Sequence, residues 1–261
     1  MSAHIRAGLC SVTFRQLSAD AVVDAAVAAG LESIEWGSGE GEHVSLGDDA
    51  AATRIGERTR SAGLVVASLG GYYRCGDNET IEPLLDAARA IGAPRVRVWA
   101  GRVGSADADE AERARTTARL RNAVDLATAR GIEVALEYHG HTLTDTPDSA
   151  RELLAAVDRP QLSSYWQPTQ GADDQAAIAE LDAVAPWVST LHVFSWWPTA
   201  ERLRLSGRSE LWRRVFARAA SLPRITDALI EFVPNDDPAL LSAESETLRR
   251  WLRESAGAQP Q

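Results

Sequence analysis

Lysine is absent from this chain, in which all 27 basic residues are arginine. Schiff-base aldolases, pyridoxal-phosphate enzymes and P-loop nucleotide-binding proteins each depend on a lysine side chain, so the sequence excludes those classes. Cysteine is scarce as well, because Cys10 and Cys75 are the only two in the chain. Two cysteines are too few for a disulfide framework or a cysteine-rich zinc site, and this usage is typical of a reducing compartment.

Long apolar runs and excess positive charge are also missing. No stretch reaches the about eighteen consecutive apolar residues that a membrane span needs, and the first residues show no signal-peptide core. The net charge of −10 and the isoelectric point near 5.0 argue against a phosphate-backbone partner. We therefore expect a cytoplasmic protein with no membrane and no nucleic-acid partner.

The 261 residues alternate short β-branched runs with longer alanine-rich amphipathic stretches. The runs predict strands at residues 5–13, 31–36, 64–69, 95–100, 132–138, 162–166, 188–194 and 227–233. The amphipathic stretches predict helices at residues 18–29, 48–62, 78–91, 107–130, 147–157, 173–185, 209–221 and 238–254. Ser18, Asn78 and Asp173 are good residue types for helix N-caps, and glycines follow four of the helices.

Eight strand–helix pairs within roughly 250 residues match the count and size of a single-domain α/β fold, the (β/α)8 TIM barrel. An open doubly wound sheet is the alternative, but such sheets usually have a glycine-rich first turn, which residues 10–15 lack. Since no linker or composition shift divides the chain, we expect one barrel domain over residues 1–257. Residues 258–261 are expected to be a loose C-terminal tail.

Polar residues interrupt the apolar pattern at the ends of four consecutive predicted strands. These residues are Glu137, Gln167, His192 and Glu231. Barrel strands are buried on both faces, and their carboxyl ends meet at the mouth where such enzymes place their chemistry. Neighbouring strands lie about 4.8 Å apart, so these side chains can converge. Two carboxylates, an imidazole and an amide oxygen predict one divalent metal ion, which could be Mn²⁺, Co²⁺, Zn²⁺ or Mg²⁺.

Further aromatic and hydrogen-bonding residues lie at or just after strand ends and are candidates for binding substrate. They are Glu35, His43, Tyr72, Arg97, Trp99, His139, His141, Trp166 and Trp196. Aromatic faces pack against the apolar face of a sugar ring, while arginine and histidine donate hydrogen bonds to its oxygens. For Arg97 we favour a structural role, because a buried arginine needs a carboxylate partner such as Glu35 or Glu137. The segment that contains Trp196 either walls the site or forms a contact in a homo-oligomer.

On these strand-end residues the chain resembles the xylose-isomerase-like TIM barrel superfamily, in particular its sugar phosphate isomerase/epimerase branch. The resemblance covers nearly the whole chain and implies that Glu137, Gln167, His192 and Glu231 hold the metal ion. The family usually has aspartate where this chain has Gln167. Xylose isomerisation itself is disfavoured, since that reaction in the family uses a lysine and this chain has none.

The resemblance implies proton transfer next to a carbonyl, with Glu137 and Glu231 as the catalytic pair and a small sugar or sugar derivative as substrate. The favoured expectation is therefore a metal-dependent isomerase or epimerase. A lyase of the same fold is the alternative, acting as a keto-inositol dehydratase or by eliminative cleavage of a 3-keto glycoside. A non-catalytic sugar-binding barrel is the least favoured of the three.

Overall fold

The computed structural model describes residues 4–257, which form a closed barrel of eight parallel strands surrounded by helices. The strands are β1 (Arg6–Cys10), β2 (Ser33–Gly37), β3 (Val65–Gly70), β4 (Arg95–Val98), β5 (Glu133–Glu137), β6 (Leu162–Trp166), β7 (Val188–Val193) and β8 (Asp227–Ile230). The helices are α1 (Ala19–Ala28), α2 (Asp49–Ser61), α3 (Glu82–Ile91), α4 (Glu110–Thr128), α5 (Pro147–Val157), α6 (Asp174–Val184), α7 (Ser209–Ala219) and α8 (Leu241–Gly257). The predicted single-domain (β/α)8 barrel is thus confirmed, while the predicted tail at residues 258–261 lies outside the described residues.

Each strand pairs with its neighbours along the chain, and β8 pairs with β1 to close the barrel. Outward-facing side chains pack under the helices, as Trp166 does against Trp212 of α7 with ring centroids 6.3 Å apart. Burial of each such large apolar side chain contributes roughly 1.5–3 kcal/mol. A polar cluster closes the barrel interior at the end where the strands begin. In this cluster Asp227 contacts Arg6 at 2.6 Å and accepts a hydrogen bond from Ser33 at 2.7 Å.

Most predicted helix boundaries agree with the structure to within a few residues. The Ser18 hydroxyl and the Asp173 carboxylate accept capping hydrogen bonds at the starts of α1 and α6. The prediction that Asn78 caps a helix is wrong, because α3 begins at Glu82 with a proline in its first turn. Proline favours that position since it has no N–H to leave unsatisfied.

The first predicted strand is too long, because β1 ends at Cys10 and a short 3-10 helix follows over Ser11–Phe14. This turn is fixed by its own polar side chains, since the Ser11 hydroxyl accepts a hydrogen bond from the Gly37 N–H and the Thr13 hydroxyl accepts one from the Phe232 N–H. A small antiparallel hairpin, Ser195–Trp196 with Arg202–Leu203, lies between β7 and α7. Across residues 4–257, the structure contains no helix with the length and apolar character of a membrane span.

Candidate active site

The four polar residues predicted to meet at the barrel mouth lie at the carboxyl ends of neighbouring strands. Glu137 is the last residue of β5 and His192 lies near the end of β7, while Gln167 and Glu231 directly follow β6 and β8. All four are buried. Side chains alternate along a strand, so Gln167 shares the inner face with Tyr165, whose ring packs edge-on against His192 at 5.2 Å.

Their polar atoms surround one point. The Nδ1 atom of His192 lies 3.3 Å from Gln167 Oε1, 3.5 Å from Glu231 Oε2 and 3.8 Å from Glu137 Oε1. Ligand atoms that share one ion at about 2.1 Å are themselves separated by about 3.0–3.4 Å in octahedral or tetrahedral geometry. The spacing of these four groups therefore fits a shared divalent cation, and the structure brings all four together as a candidate ligand set.

The charge balance of the site also fits a divalent cation. Three carboxylates, those of Glu35, Glu137 and Glu231, are buried here and contact or surround His192. One buried guanidinium, that of Arg97, compensates them by contacting Glu137 Oε2 at 3.0 Å and Glu35 Oε1 at 3.5 Å. With a neutral imidazole, two negative charges remain unbalanced, and buried charges are costly unless they are paired or bind a metal. The predicted carboxylate partners of Arg97 are both confirmed.

The same charges set the protonation of these groups in the protein without bound ions. Burial acts to raise the pKa of Glu35, but Arg97 and His192 outweigh it and hold that pKa at about 2. Burial also opposes ionisation of Glu231, yet His192 and Arg97 lower its pKa below the ordinary value. Burial lowers the pKa of His192, whereas Cys10 and the two carboxylates raise it more, so the net shift is well above the ordinary value. The carboxylates around His192 thus favour a positive charge at this point in the barrel.

The two glutamates of the predicted catalytic pair have different surroundings. Both oxygens of Glu137 are engaged, since Oε2 contacts Arg97 at 3.0 Å and Oε1 accepts a hydrogen bond from Gln167 Nε2 at 3.3 Å. Among residues 4–257, the Glu231 carboxylate has one such contact, with His192 Nδ1 at 3.5 Å. Glu231 thus retains an oxygen that is free to exchange a proton with a bound molecule, and Glu137 does not.

Above this ligand set lies a cavity of about 270 Å³. Its walls include Tyr72, Arg97, Trp99, His139 and Trp196, which the sequence indicated as candidates for substrate binding. The cavity is also lined by residues that sequence reasoning missed, namely Val12, Arg15, Gln170, Phe194 and Phe232. Strand spacing gave no signal for these residues, because the paths of the connecting loops decide which side chains turn inward. The sequence marked them only by their place at, or within four residues of, the carboxyl ends of predicted strands.

Trp99 occupies the cavity wall in a way that the sequence did not indicate. The guanidinium carbon of Arg74 lies 3.6 Å from the centre of its ring, and the His139 ring stacks on it at 4.2 Å. Two planar groups at such distances cannot share one face, so they cover opposite faces of the indole. The expected packing of a sugar ring on the face of Trp99 is therefore blocked, and the indole edge is what remains for a ligand.

Four of the candidate substrate-binding residues do not line this cavity within the described part of the chain. Trp166 points outward under α7, because consecutive side chains alternate and Gln167 is on the inner face. Both ring nitrogens of His43 are engaged, with Ser11 Oγ and the Leu17 carbonyl at 3.1 Å each. His141 lies in the loop after β5 with a left-handed backbone. Glu35 lies inside the barrel beside His192, with its Oε1 3.4 Å from Nε2.

Comparison with known proteins places this chain among relatives of the same architecture. The family model described as xylose isomerase-like TIM barrel matches residues 23–222. A 3-dehydroshikimate dehydratase from Bacillus anthracis is 27% identical over 200 residues, which cover 70% of this chain and 69% of that protein.

Solved structures show the same barrel at lower sequence identity. The crystal structure of a probable 3-DHS dehydratase from Bacillus anthracis superimposes with a TM-score of 0.72 and 21% identity, covering 94% of this chain and 99% of the other. A xylose isomerase-like TIM barrel protein from Mycobacterium smegmatis, solved in complex with magnesium, gives a TM-score of 0.69 and 16% identity over 98% of this chain and 99% of the other. On the match of the family model to most of its length, this chain belongs to the xylose isomerase-like TIM barrel family.

Proposed function

We propose that this protein is a divalent-metal-dependent dehydratase that removes water from a cyclic, polyhydroxylated ketone carrying a hydroxyl group two carbons from the carbonyl. The observation that carries this proposal is the unequal state of the two glutamates. Elimination needs one carboxylate that takes a proton, whereas epimerisation between two faces needs two. Glu231 is free to do this and Glu137 is held by Arg97 and Gln167. The similarity to a 3-dehydroshikimate dehydratase supports the same reaction class.

The residues around His192 Nδ1 are suited to hold the cation. Glu137, Gln167, His192 and Glu231 would be its ligands, in keeping with their spacing and with the buried negative charge. When bound there, a divalent cation stabilises the negative charge that develops on a carbonyl oxygen as the neighbouring carbon loses a proton. The contact with Arg97 holds the Glu137 carboxylate in a fixed orientation.

Glu231 is the proposed base and His139 the proposed acid. Glu231 removes the proton from the carbon beside the carbonyl, and the electron pair of that bond forms the new carbon–carbon double bond as the carbon–oxygen bond to the hydroxyl breaks. His139 lines the cavity, and its Nδ1 lies 2.7 Å from the Gly140 carbonyl. The Gly140 carbonyl can only accept, so Nδ1 carries a proton, and in the imidazolium form Nε2 carries a second one. Transfer of that Nε2 proton to the departing hydroxyl lets it leave as water and returns the imidazole to its neutral form.

The size and lining of the cavity favour a single-ring substrate. Its volume of about 270 Å³ lies below the roughly 300–1,000 Å³ of pockets that hold drug-sized ligands. Phe194, Trp196 and Phe232 pack against one another along one wall, with neighbouring ring centroids 5.2 and 5.6 Å apart. These aromatic side chains limit water at the reacting carbon, while the ligand set and His139 supply polar contacts on the other sides.

This proposal favours the lyase over the isomerase or epimerase that the sequence put first. A reaction in heavy water with Mg²⁺ or Mn²⁺ separates them, using 3-dehydroshikimate, a keto-inositol and ketohexoses as substrates. We expect at least one cyclic ketone to lose water, giving a conjugated product in the ultraviolet and proton magnetic resonance spectra. Recovery of an epimer or an aldose–ketose isomer that contains solvent deuterium, without loss of water, would identify an epimerase or isomerase and contradict the proposal.

Two isosteric variants then test the assignment of the base. With metal saturating, Glu231→Gln should reduce kcat by roughly 10²–10⁴-fold, because an amide cannot take the proton. Glu137→Gln, the matched control, should bind metal more weakly and regain most of its kcat when metal is raised. Equal loss of kcat in both variants at saturating metal would instead indicate two proton-transfer groups.

A further inference from the structure

We propose that Glu35 is a positioning residue that orients the His192 imidazole. In this orientation Nε2 carries the proton, and Nδ1 faces the other three candidate metal ligands. The inference rests on the cation site proposed above and does not depend on which reaction that site performs. Glu35 is 1% exposed and is absent from the described lining of the cavity. Any contribution it makes must therefore act through its neighbours.

The surroundings of the two imidazole nitrogens carry the argument. Nε2 faces Glu35 Oε1 at 3.4 Å, whereas Nδ1 faces the oxygens of Gln167 and Glu231 at 3.3 and 3.5 Å. An unprotonated nitrogen next to a buried carboxylate would place two lone pairs against each other, so Glu35 favours a proton on Nε2. Nδ1 is then the nitrogen whose lone pair is available to a cation lying between it and the facing oxygens. A carboxylate behind a metal-binding histidine commonly fixes its tautomer in this way.

Glu35 is itself held in place by two further groups. The Ser68 hydroxyl donates a hydrogen bond to Glu35 Oε2 at 2.7 Å, and Arg97 Nη2 lies 3.5 Å from Oε1. The pairing of β2 with β3 shifts by one residue between Ile34 and Glu35, so that Glu35 lies level with Ser68 instead of Ala67. Such irregularities often re-aim side chains next to active sites. Here the shift places a hydroxyl donor where it fixes the carboxylate that faces Nε2.

Cys10 is the other group that could interact with Nε2. Cys10, Glu35 and His192 form a buried cluster whose ligand atoms lie within 4.8 Å of one another. A thiol is a weak hydrogen-bond acceptor, whereas a carboxylate is a strong one, so Glu35 is the expected partner. The Cys10→Ala variant therefore distinguishes the role of the thiol from that of the carboxylate. It should leave the affinity for metal within about twofold of the wild type, a much smaller change than the one expected for Glu35→Gln.

The test measures metal binding and the Nε2 proton, without an activity assay. Isothermal titration with Mn²⁺ should show that Glu35→Gln raises Kd roughly 10–100-fold, as expected for loss of an outer partner of a ligand. Ser68→Ala should raise Kd less and in the same direction. In the Mg²⁺-loaded protein with ¹⁵N-labelled histidine, the Nε2 proton of His192 should resonate far downfield and move upfield in Glu35→Gln.

Asp227→Asn is a matched control, because Asp227 is a buried barrel carboxylate that also contacts an arginine and a serine. This variant should lower thermal stability but leave Kd for Mn²⁺ within about twofold of the wild type. Loss of a residue that hydrogen-bonds to a metal ligand should instead weaken metal binding roughly 10–100-fold. A wild-type Kd in both Glu35→Gln and Ser68→Ala, with an unmoved Nε2 proton, would overturn the role of Glu35 alone. Failure of the wild type to bind Mn²⁺ would overturn the cation site itself and this inference with it.

Discussion

Gln167 is the residue at which this candidate ligand set departs from the family pattern. At that position the family usually has aspartate. Its amide has two contacts at once, because Nε2 donates to Glu137 Oε1 at 3.3 Å while Oε1 faces His192 Nδ1 at 3.3 Å. The amide therefore links the Glu137 side chain to the imidazole without adding charge. This arrangement limits the negative charge that the protein must bury when no cation is bound.

Replacing this amide tests its place among the ligands. Gln167→Asp adds a negative charge beside the cation, so the affinity for Mn²⁺ should rise about tenfold, which corresponds to about 1.4 kcal/mol. When a chelator removes divalent cations, the same variant should unfold at a lower urea concentration than the wild type. Its free energy of unfolding should be lower by about 1–3 kcal/mol, because an additional carboxylate lies near Glu137 and the amide donor is lost. Titration calorimetry and urea unfolding measure the two effects.

The control is Gln170→Asp, which makes the same chemical change three residues further along the cavity wall. It should change Kd for Mn²⁺ by less than about threefold, because a charge outside the ligand set acts only through screened electrostatics. An equal rise in affinity for both variants would mean that charge in the cavity, and not ligation by residue 167, governs binding.

At this scale, the sequence predicts ligand candidates better than it predicts the cavity wall. Glu137, Gln167, His192 and Glu231 could be found because strand periodicity puts polar side chains at buried strand ends. The function of Glu35 could not, since its level in the barrel depends on the shifted pairing with Ser68. The covering of Trp99 by Arg74 was equally hidden, because it depends on the path of a loop.

At the scale of elements, strands and helices follow their sequence patterns closely, and their ends depend on individual capping groups. The pattern predicts that the fourth helix begins near Asp107, but α4 begins at Glu110. The reason is that the Asp109 carboxylate accepts a hydrogen bond from the Glu112 N–H at 2.7 Å. Periodicity cannot choose between two aspartates two residues apart, whereas the capping geometry does.

These two aspartates provide a matched test of the helix start. Asp109→Ala should lower the free energy of unfolding by about 0.5–2 kcal/mol, because a first-turn N–H loses its acceptor. Asp107→Ala should change it by less than about 0.5 kcal/mol, as for an ordinary surface substitution. Urea unfolding measures both, and a larger loss for Asp107→Ala would place the cap at the earlier residue.

For the whole molecule, barrel closure converts separated strand ends into one site. Residues from Glu35 to Glu231 meet around His192 because eight parallel strands all end at the same mouth. The fold could be predicted from the alternation of strands and helices, and the position of the candidate site followed from the fold. The proposed reaction could not, because that proposal depends on which glutamate is restrained, and the restraint comes from contacts of Arg97 and Gln167 across three strands.

The four strand-end side chains that meet at His192 are proposed to form one divalent-cation site. Elemental analysis after loading with Mn²⁺ and desalting tests it most directly, in the wild type, in His192→Ala and in His43→Ala. The control residue His43 has both ring nitrogens engaged away from the ligand set. We predict one equivalent of metal per chain in the wild type and in His43→Ala, and none in His192→Ala, because the remaining ligands hold an ion poorly. Full metal content in His192→Ala, or none in the wild type, would show that these side chains do not form the cation site.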